Sequence, residues 1–312
     1  MTDVICGVDV GSQTLDARVG RNGAWQQFPR TIEGIDALAA FCRSHGVELV
    51  VMEATGGYER QPFGQLWAAG LPAAIVNPCS VRSFAKAMGV LEKTDHIDCG
   101  IVAWYGQTKR IKPMPPASAT QQRLAALVVR LRQLTELKVE QINQRRLVTE
   151  PDALASFEPI MAATKAMLRS LETKIAEAIA ADPMWVALDR AFRSIKGVAG
   201  RTVARLMAEM PEIGTLSNKA VVKLAGLAPI ANDSGKHLGR RPLRGGREGV
   251  RSILFVVAEV VRRYEPDFHA FHQKLSAAGK PKKLIRAALA RKLLVRLNAK
   301  ARDVRHHLAS AT

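Results

Sequence analysis

The sequence contains few cysteines and no long apolar run. Its four cysteines, Cys6, Cys42, Cys79 and Cys99, are far apart, and no pair has the spacing of a metal site or a redox motif. This pattern favours a reducing compartment. No apolar run reaches the ~18 residues that a membrane-spanning helix needs, and residues 1–10 are too short and too acidic for a signal peptide. These absences predict a cytoplasmic protein.

Acidic residues are fewer than basic residues, and this imbalance is confined to one part of the chain. The 312 residues, enough for roughly two domains, include 46 Lys/Arg and 28 Asp/Glu, a net charge of +18. Residues 1–112 carry 11 basic and 11 acidic residues, so all of the excess positive charge lies in residues 113–312. A neutral domain joined to a strongly basic one is typical of a catalytic module linked to a nucleic-acid-binding module, here at the nucleoid. A generally basic protein without such a partner is the alternative.

The first third of the chain alternates strand-like and helical segments. Apolar runs at 4–10, 48–54 and 71–78 predict buried strands, and a turn near Asn22-Gly23 predicts a hairpin. Helical periodicity between and after these runs predicts helices. This order of elements predicts an α/β domain with a mixed sheet over residues 1–112.

The remainder has mainly helical patterns. The proline-rich stretch 112–118 is typical of a linker. Apolar residues recur at helical spacing from Leu124 onward, and a second long helix is predicted at about 160–181. The two would form an antiparallel hairpin, either a core element or a coiled-coil arm for dimerisation or nucleic-acid binding. We predict linker and coiled-coil helices at 113–184 and a mainly α, basic domain at 185–312.

Three basic segments suggest contacts with phosphates. Segment 195–210 resembles a helix-hairpin-helix element, whose glycine-containing turn presents backbone N–H groups to a phosphate; an ordinary helix turn is the alternative. Segment 280–307 predicts an amphipathic helix with a Lys/Arg face that follows a phosphate backbone. Between them, segment 232–249 is dense in glycine and arginine. The nucleic-acid contacts predicted in and just after this segment are Lys236, Arg240, Arg241, Arg244, Arg247 and Arg251.

Four carboxylates of the first hundred residues stand where hydrophobic elements end or begin. Asp9 lies inside an apolar strand and Glu53 closes another, positions at which a charge is costly unless it is paired or bound to metal. Asp95 and Asp98 are three residues apart and share one face of a predicted helix. Each has a structural alternative: Asp9 as a strand-end cap of the next turn, and Asp95 with Asp98 as a helix cap.

Taken as a set, these carboxylates predict a divalent-metal site for phosphate chemistry. Strand carboxylates beside a pair at a helix start can hold two ions, one activating the nucleophile and the other stabilising the leaving oxygen. A ligand set made only of oxygen favours Mg²⁺ or Mn²⁺ over zinc.

Four stretches carry a family resemblance. They are GVDVGSQTLD, VVMEATGGYE, the Lys-Thr-Asp-x-x-Asp stretch that ends at Asp98, and GLAPIANDSG followed by GRRPLRGG. In order and spacing they resemble the insertion-sequence one-ten (Piv/MooV-like) transposases over nearly the whole chain. The Lys-Thr-Asp-x-x-Asp and Pro-x-x-x-x-Ser-Gly stretches are the specific parts.

The resemblance implies an N-terminal RuvC-like domain of the ribonuclease H fold, a coiled-coil region and a C-terminal domain with an essential serine. Matched motif to motif, the DEDD metal set falls on Asp9, Glu53, Asp95 and Asp98, and the serine on Ser234. It further implies DNA strand exchange through a phosphoserine link, guidance by a non-coding bridge RNA, and a homo-oligomer (a dimer or a tetramer) in which the metal site of one subunit works with the serine of another.

Two positions depart from the family pattern. In addition, the sequence around Ser234 does not by itself identify the serine as a nucleophile. Cys99 stands where alanine is common, and Gln13 where many members have a basic residue. The residues around Ser234, Asn-Asp-Ser-Gly, are a strong turn signal in any protein. No histidine base is evident beside the serine, so its activation would require a metal site elsewhere, and nearby arginines would neutralise the phosphate.

Three other functions fit parts of the sequence. A junction-resolving nuclease that uses water would need the four carboxylates but not Ser234. A sugar kinase or actin-like ATPase would explain VDVGSQT as a phosphate loop, but no second glycine-rich phosphate loop is evident and the charge fits poorly. A non-enzymatic nucleic-acid-binding protein would leave Asp9 and Glu53 unexplained.

Overall fold

The computed structural model describes residues 4–92, 94–231, 234, 239 and 241–310. The chain divides into two compact units, unit 1 (Met1–Ala117) and unit 2 (Ser118–Thr312). The boundary falls within the proline-rich stretch that was predicted to be a linker. Among the described residues, no helix is long and apolar enough to cross a membrane.

Unit 1 is built on a five-stranded mixed sheet. Its strands are β1 (Ile5–Val10), β2 (Thr14–Val19), β3 (Trp25–Pro29), β4 (Leu49–Glu53) and β5 (Ala73–Val76), and their order across the sheet is β3-β2-β1-β4-β5. β1, β4 and β5 are parallel neighbours, whereas β2 is antiparallel to β1 and to β3. The predicted hairpin and the predicted mixed α/β sheet are confirmed.

Helices cover both faces of this sheet. They are α1 (Ile32–Ser44), α2 (Arg60–Ala68), α3 (Pro78–Ala87) and α4 (Asp95–Lys109). Because side chains alternate between the faces of a strand, Cys6 and Val8 of β1 pack with α1 and α2, while Ile5 packs on the opposite face with α3 and α4. Gly7 and Asp9 therefore belong to the face covered by α4.

The direction of α4 determines where its first turn lies. A Cβ atom at Gly106 would lie 3.3 Å from Ile5, whereas one at Gly7 would overlap the carbonyl oxygen of Cys99 and the amide nitrogen of Ala103. The end of α4 is thus over the start of β1, and the start of α4 points to the end of β1. The close approach at Gly7, which leaves no room for a side chain, brings the first turn of α4 to the edge where β1 and β4 end.

Unit 2 is helical and has one continuous hydrophobic core, which includes residues from both the predicted coiled-coil segment and the predicted C-terminal domain. Near the tip of its helical hairpin, Arg145 pairs with Glu158 at 2.9 Å, and nearer the core Leu131 and Ile175 line the same cavity. The two long helices are therefore antiparallel, as predicted. The helices of unit 2 are α5 (Ala119–Arg145), α6 (Pro151–Ala155), α7 (Phe157–Ala180), α8 (Pro183–Arg193), α9 (Gly200–Glu209), α10 (Asn218–Leu224), α11 (Glu248–Tyr264), α12 (Pro266–Ala277) and α13 (Lys282–Ser310).

The turn between α8 and α9 packs against, and hydrogen-bonds to, other parts of unit 2. Gly197 has a positive φ of 99°, and a Cβ atom there would lie 3.0 Å from the amide nitrogen of Val261. The backbone N–H of Lys196 donates to the Glu265 carboxylate at 2.9 Å. These contacts favour the ordinary helix turn, while a phosphate contact at this turn stays a prediction.

The prediction for the last helix, α13, was wrong in one respect: much of its basic face is used inside unit 2. Every residue from Ala287 to Arg302 is buried or half-buried, because the helix lies in the core rather than along its surface. Arg291 donates to the Leu227 carbonyl at 2.9 Å, and Arg305 donates to the Ile213 carbonyl at 2.9 Å. These guanidinium groups satisfy backbone carbonyls in the connections between other helices and hold the helices together.

Candidate active site

Asp9 and Glu53 lie side by side at the carboxyl edge of the sheet. In the parallel pairing of β1 with β4, Val8 is opposite Met52, so Asp9 and Glu53 are the next residues along the two strands. Both lie on the face of the sheet that α3 and α4 cover, in register with Ile5 of β1 and Val51 of β4. Both are half-buried. In open α/β sheets, ligands bind outside the carboxyl ends of the strands.

Asp95 and Asp98 reach the same edge from the first turn of α4. Their predicted alternative role as a helix cap is wrong, because Thr94 is the N-cap and its hydroxyl accepts a hydrogen bond from Ile97 N at 3.3 Å. Neither aspartate therefore occupies the N-cap position of α4. Asp95 is exposed and Asp98 is half-buried.

The surroundings of Asp9 raise the pKa of its carboxyl group. Burial raises the pKa of the Asp9 carboxyl from its ordinary value of 3.8 to about 6, with further contributions from the negative charges of Asp95, Asp98 and Asp16. A nearby negative charge disfavours the ionised form of a carboxyl. The first turn of α4, which the close approach at Gly7 brings to the end of β1, therefore adds negative charge at the edge where Asp9 lies.

Asp16 is a fifth carboxylate of this cluster, and sequence reasoning missed it. It is directly opposite Asp9 in the pairing of β1 with β2 and only 3% exposed. Gln27 of β3 donates to both of its oxygens, at 3.1 and 3.2 Å. The available signal was an acid on the second strand of a predicted hairpin, at a position that pairs with Asp9.

The donor chemistry of this edge fits a hard divalent cation, since carboxylate oxygens are the ligands that Mg²⁺ and Mn²⁺ prefer. Burial is the main cause of the raised pKa of Asp9, and the repulsion from neighbouring acids that adds to it is what a bound cation would offset. Within the described ranges, however, no three acidic, thiol or imidazole side chains converge as a ligand group. Binding would therefore require rotation of these side chains toward a common ion.

A cluster on β2 and β3 anchors the first turn of α4. The Arg18 guanidinium contacts both ring nitrogens of His96, with the Nη2–Nδ1 distance 3.2 Å. The indole of Trp25 meets the same imidazole edge-on, with ring centroids 4.9 Å apart. One turn further along, a Cβ atom at Gly100 would lie 2.6 Å from the Arg21 carbonyl oxygen. Asp95 and Asp98, on either side of His96, are thereby held against the sheet.

Replacement of Gly7 by alanine should separate the two halves of the acidic cluster. Its methyl group would overlap backbone atoms of Cys99 and Ala103, so only a shift of α4 could relieve the clash. We expect a loss of about 1–3 kcal/mol in the free energy of unfolding and a weaker Mn²⁺ affinity in calorimetric titration. Gly64→Ala is the matched control, because nothing lies within 4 Å of its added methyl group. Equal Mn²⁺ affinity in the two variants would contradict this geometry.

The raised pKa of Asp9 predicts a pH dependence of stability. The folded-state pKa, about 6, is above the ordinary value of 3.8, so the contribution of Asp9 is fully present at low pH and is lost as the pH rises through about 6. Metal-free Asp9→Asn protein should therefore melt at a higher temperature than the wild type near neutral pH, and the difference should vanish in acid. A melting temperature that is lower for Asp9→Asn near neutral pH would refute the assignment.

Ser234 is exposed and lies in unit 2, in the connection between α10 and α11. A short antiparallel contact closes the base of this connection: Pro229 bridges Leu243, and Ile230 N donates to the Pro242 carbonyl at 3.1 Å. The serine is thus presented on a loop whose two ends are joined.

Two of the six predicted nucleic-acid contacts support the base of this loop. Arg247 makes a two-pronged ion pair with Glu212, at 2.6 and 2.5 Å, and Arg251 donates to the Gly245 carbonyl at 2.7 Å. Burial alone would raise the pKa of Glu212, but the hydrogen bonds from Arg247 outweigh it and lower that pKa. Part of the arginine charge expected to face a phosphate is therefore neutralised locally.

The other four predicted contacts are placed differently. Arg244 is exposed. Arg241 is exposed and has an interaction within the protein. Lys236 and Arg240 lie outside the described residues. A contact of any of the six with nucleic acid stays a prediction.

Comparisons with known proteins match both units. A family model described as a transposase, of the DEDD type and named for IS110, matches residues 6–148, and a model described as a transposase of the IS116/IS110/IS902 family matches residues 189–273. The pilin gene-inverting proteins of Moraxella lacunata and Moraxella bovis are each 28% identical, over 94% of this chain and 94% of the relative. The four carboxylates fall within the first match and Ser234 within the second.

Proposed function

Because the chain belongs to the IS110 family of transposases, and is therefore a DNA transposase or site-specific recombinase, we propose that it cleaves and rejoins DNA with a metal site in unit 1 and a serine nucleophile in unit 2. The metal site is supported by the placement of Asp9 and Glu53 at the ends of two adjacent parallel strands, with the first turn of α4, which carries Asp95 and Asp98, brought to the same edge of the sheet. The strand order β3-β2-β1-β4-β5, with β2 antiparallel, supports a RuvC-like ribonuclease H fold for this unit.

In this proposal Asp9, Glu53, Asp95 and Asp98 hold one or two Mg²⁺ or Mn²⁺ ions. Bound ions would polarise the scissile phosphate and stabilise the departing oxygen. The protein's own part is to present the acids together: β1 and β4 supply two from adjacent strands, and α4, placed by Gly7 and by Arg18 with His96, supplies two from its first turn. Asp16, the neighbour of Asp9 on the adjacent strand β2, adds negative charge.

Ser234 would supply the nucleophile. Its Oγ would bond to phosphorus while the bond to the leaving strand oxygen breaks and that oxygen takes up a proton. The hydroxyl of an incoming strand would then attack the phosphoserine, rejoin the DNA and free the serine. The exposure of Ser234 on a loop with a closed base supports this role.

The proposal also includes the partners that the family resemblance implies. A non-coding bridge RNA would choose donor and target DNA, since base pairing, rather than side chains, would carry the sequence specificity. The strongly basic unit 2 supports binding of long phosphate backbones. Strand exchange between two DNA molecules would occur in a homo-oligomer.

The alternative within the same chemistry is a nuclease that uses the four carboxylates and water. Trapping of a covalent protein–DNA adduct separates the two. With DNA that carries the ends of its own element and a nick beside the cleavage site, the wild-type protein should form an adduct that survives denaturation, with the modified peptide containing Ser234. Cleaved DNA without an adduct would favour the nuclease.

A further inference from the structure

An exposed tyrosine and a basic residue stand together beside the acidic edge, and neither is used by the chemistry described above. Tyr58 is 47% exposed. The guanidinium carbon of Arg30 lies over its ring, 4.9 Å from the centroid. The cation backs the aromatic ring and leaves much of the side chain open to solvent.

Arg30 is fixed to the turn that follows β1. Its Nε donates to the Ser12 carbonyl at 2.9 Å, and its backbone N–H donates to the Gln13 carbonyl at 2.8 Å. Ser12 is only three residues beyond Asp9. The guanidinium is therefore held at the same edge of the sheet as the acidic cluster.

Tyr58 is fixed to the turn that follows β4. The carboxylate of Glu59, only 8% exposed, accepts hydrogen bonds from Thr55 N at 3.0 Å and Gly57 N at 2.8 Å. The Thr55 hydroxyl in turn donates to the Glu53 carbonyl at 3.2 Å. This hydrogen-bonded turn carries the ring at a set position five residues after Glu53, so the tyrosine is presented rather than loosely tethered.

We propose that Tyr58 and Arg30 form a stacking platform for a nucleobase of the DNA strand whose phosphate reaches the acidic edge. Aromatic side chains stack on any base, and an arginine adds a favourable charge toward the backbone. The turn after β1, the strand of Asp9, holds Arg30 by hydrogen bonds, and the turn after β4, the strand of Glu53, carries Tyr58. One short stretch of DNA would therefore span the platform and the acidic edge. The inference rests on the proposed metal site, because it places the base next to the phosphate bound there.

Photo-crosslinking of the full-length protein tests the platform. The probe is a short single-stranded DNA that contains 5-iodouracil, with the modified peptide identified by mass spectrometry. We expect a crosslink at Tyr58 that persists in Tyr58→Phe and is lost in Tyr58→Ala. In cleavage assays Tyr58→Ala should raise the half-saturating DNA concentration by about tenfold with an unchanged maximal rate. Tyr264→Ala, which removes a tyrosine 60% exposed on α11, should behave as wild type in both assays.

Three outcomes would overturn the platform: crosslinks confined to unit 2, crosslinking at Tyr58 by an RNA probe but not by DNA, or a Tyr58→Phe variant as defective as Tyr58→Ala. Unchanged circular dichroism and melting temperature exclude misfolding as the cause. Asp9→Asn protein keeps this test separate from the metal site. The Asp9→Asn variant should crosslink to the DNA at Tyr58 but should not cleave it. If the variant cleaves DNA, the proposed metal site is refuted, and the presence or absence of the crosslink still tests the stacking platform.

Discussion

Asp9→Asn protein is expected to lose DNA cleavage by about a thousandfold or more at any Mg²⁺ concentration. The amide keeps the shape of the side chain but removes the negative charge that would hold a cation between β1 and α4. Bound ions supply several kcal/mol of transition-state stabilisation, and each 1.4 kcal/mol is a factor of ten in rate. Cleavage is measured on end-labelled DNA under single-turnover conditions.

The loss in Asp9→Asn should not come from unfolding. The raised pKa of Asp9 means that its ionised form destabilises the metal-free fold, so the amide variant should be at least as stable as the wild type near neutral pH. Asp36→Asn is the control, since Asp36 is an exposed aspartate on α1, which packs on the opposite face of the sheet. Cleavage at the wild-type rate by Asp9→Asn would remove Asp9 from the site.

Ser234→Ala protein should lose strand exchange, also by about a thousandfold or more, because no other group of the loop would take over as nucleophile. DNA and RNA binding, measured by filter retention, should be largely unchanged, since the side chain is small and exposed. The variant should also retain the metal dependence of its melting temperature, because the acids lie in the other unit.

Ser276→Ala controls for the loss of a surface hydroxyl, since Ser276 is exposed on α12 of the same unit. It should exchange strands as the wild type does. An active Ser234→Ala protein would refute the nucleophile and favour hydrolysis by water at the carboxylates.

The elements of unit 1 were predictable because their signals are local. Apolar runs predicted the three parallel strands, and helical periodicity after the last of them predicted helices, among them the observed α4 (Asp95–Lys109). The burial of polar residues on the face that α4 covers could not be predicted. Asp16 alternates with apolar residues as a solvent-facing strand residue would, yet it is only 3% exposed at a position directly opposite Asp9.

In unit 2 the helices were predictable from the sequence, but the partners of the arginines were not. Arginines in a glycine-rich segment are typical of a surface that binds phosphate, but Arg247 is paired with Glu212, which only the tertiary fold brings near. Arg251 instead donates to the carbonyl of Gly245, six residues earlier. In α13, likewise, Arg305 donates to a carbonyl in the connection between α9 and α10, over ninety residues earlier in the chain. Pattern alone does not distinguish a cation that meets solvent from one that satisfies a distant carbonyl.

Anomalous diffraction from crystals of the full chain soaked in Mn²⁺ tests the metal site most directly. At Mn²⁺ concentrations that support cleavage, we predict one or two anomalous peaks at the carboxyl edge of β1 and β4. The ligands should include Asp9 and at least two of Glu53, Asp95 and Asp98, with these side chains rotated toward the ion. Peaks found only elsewhere, with no ion bound by Asp9 at such concentrations, would contradict the account.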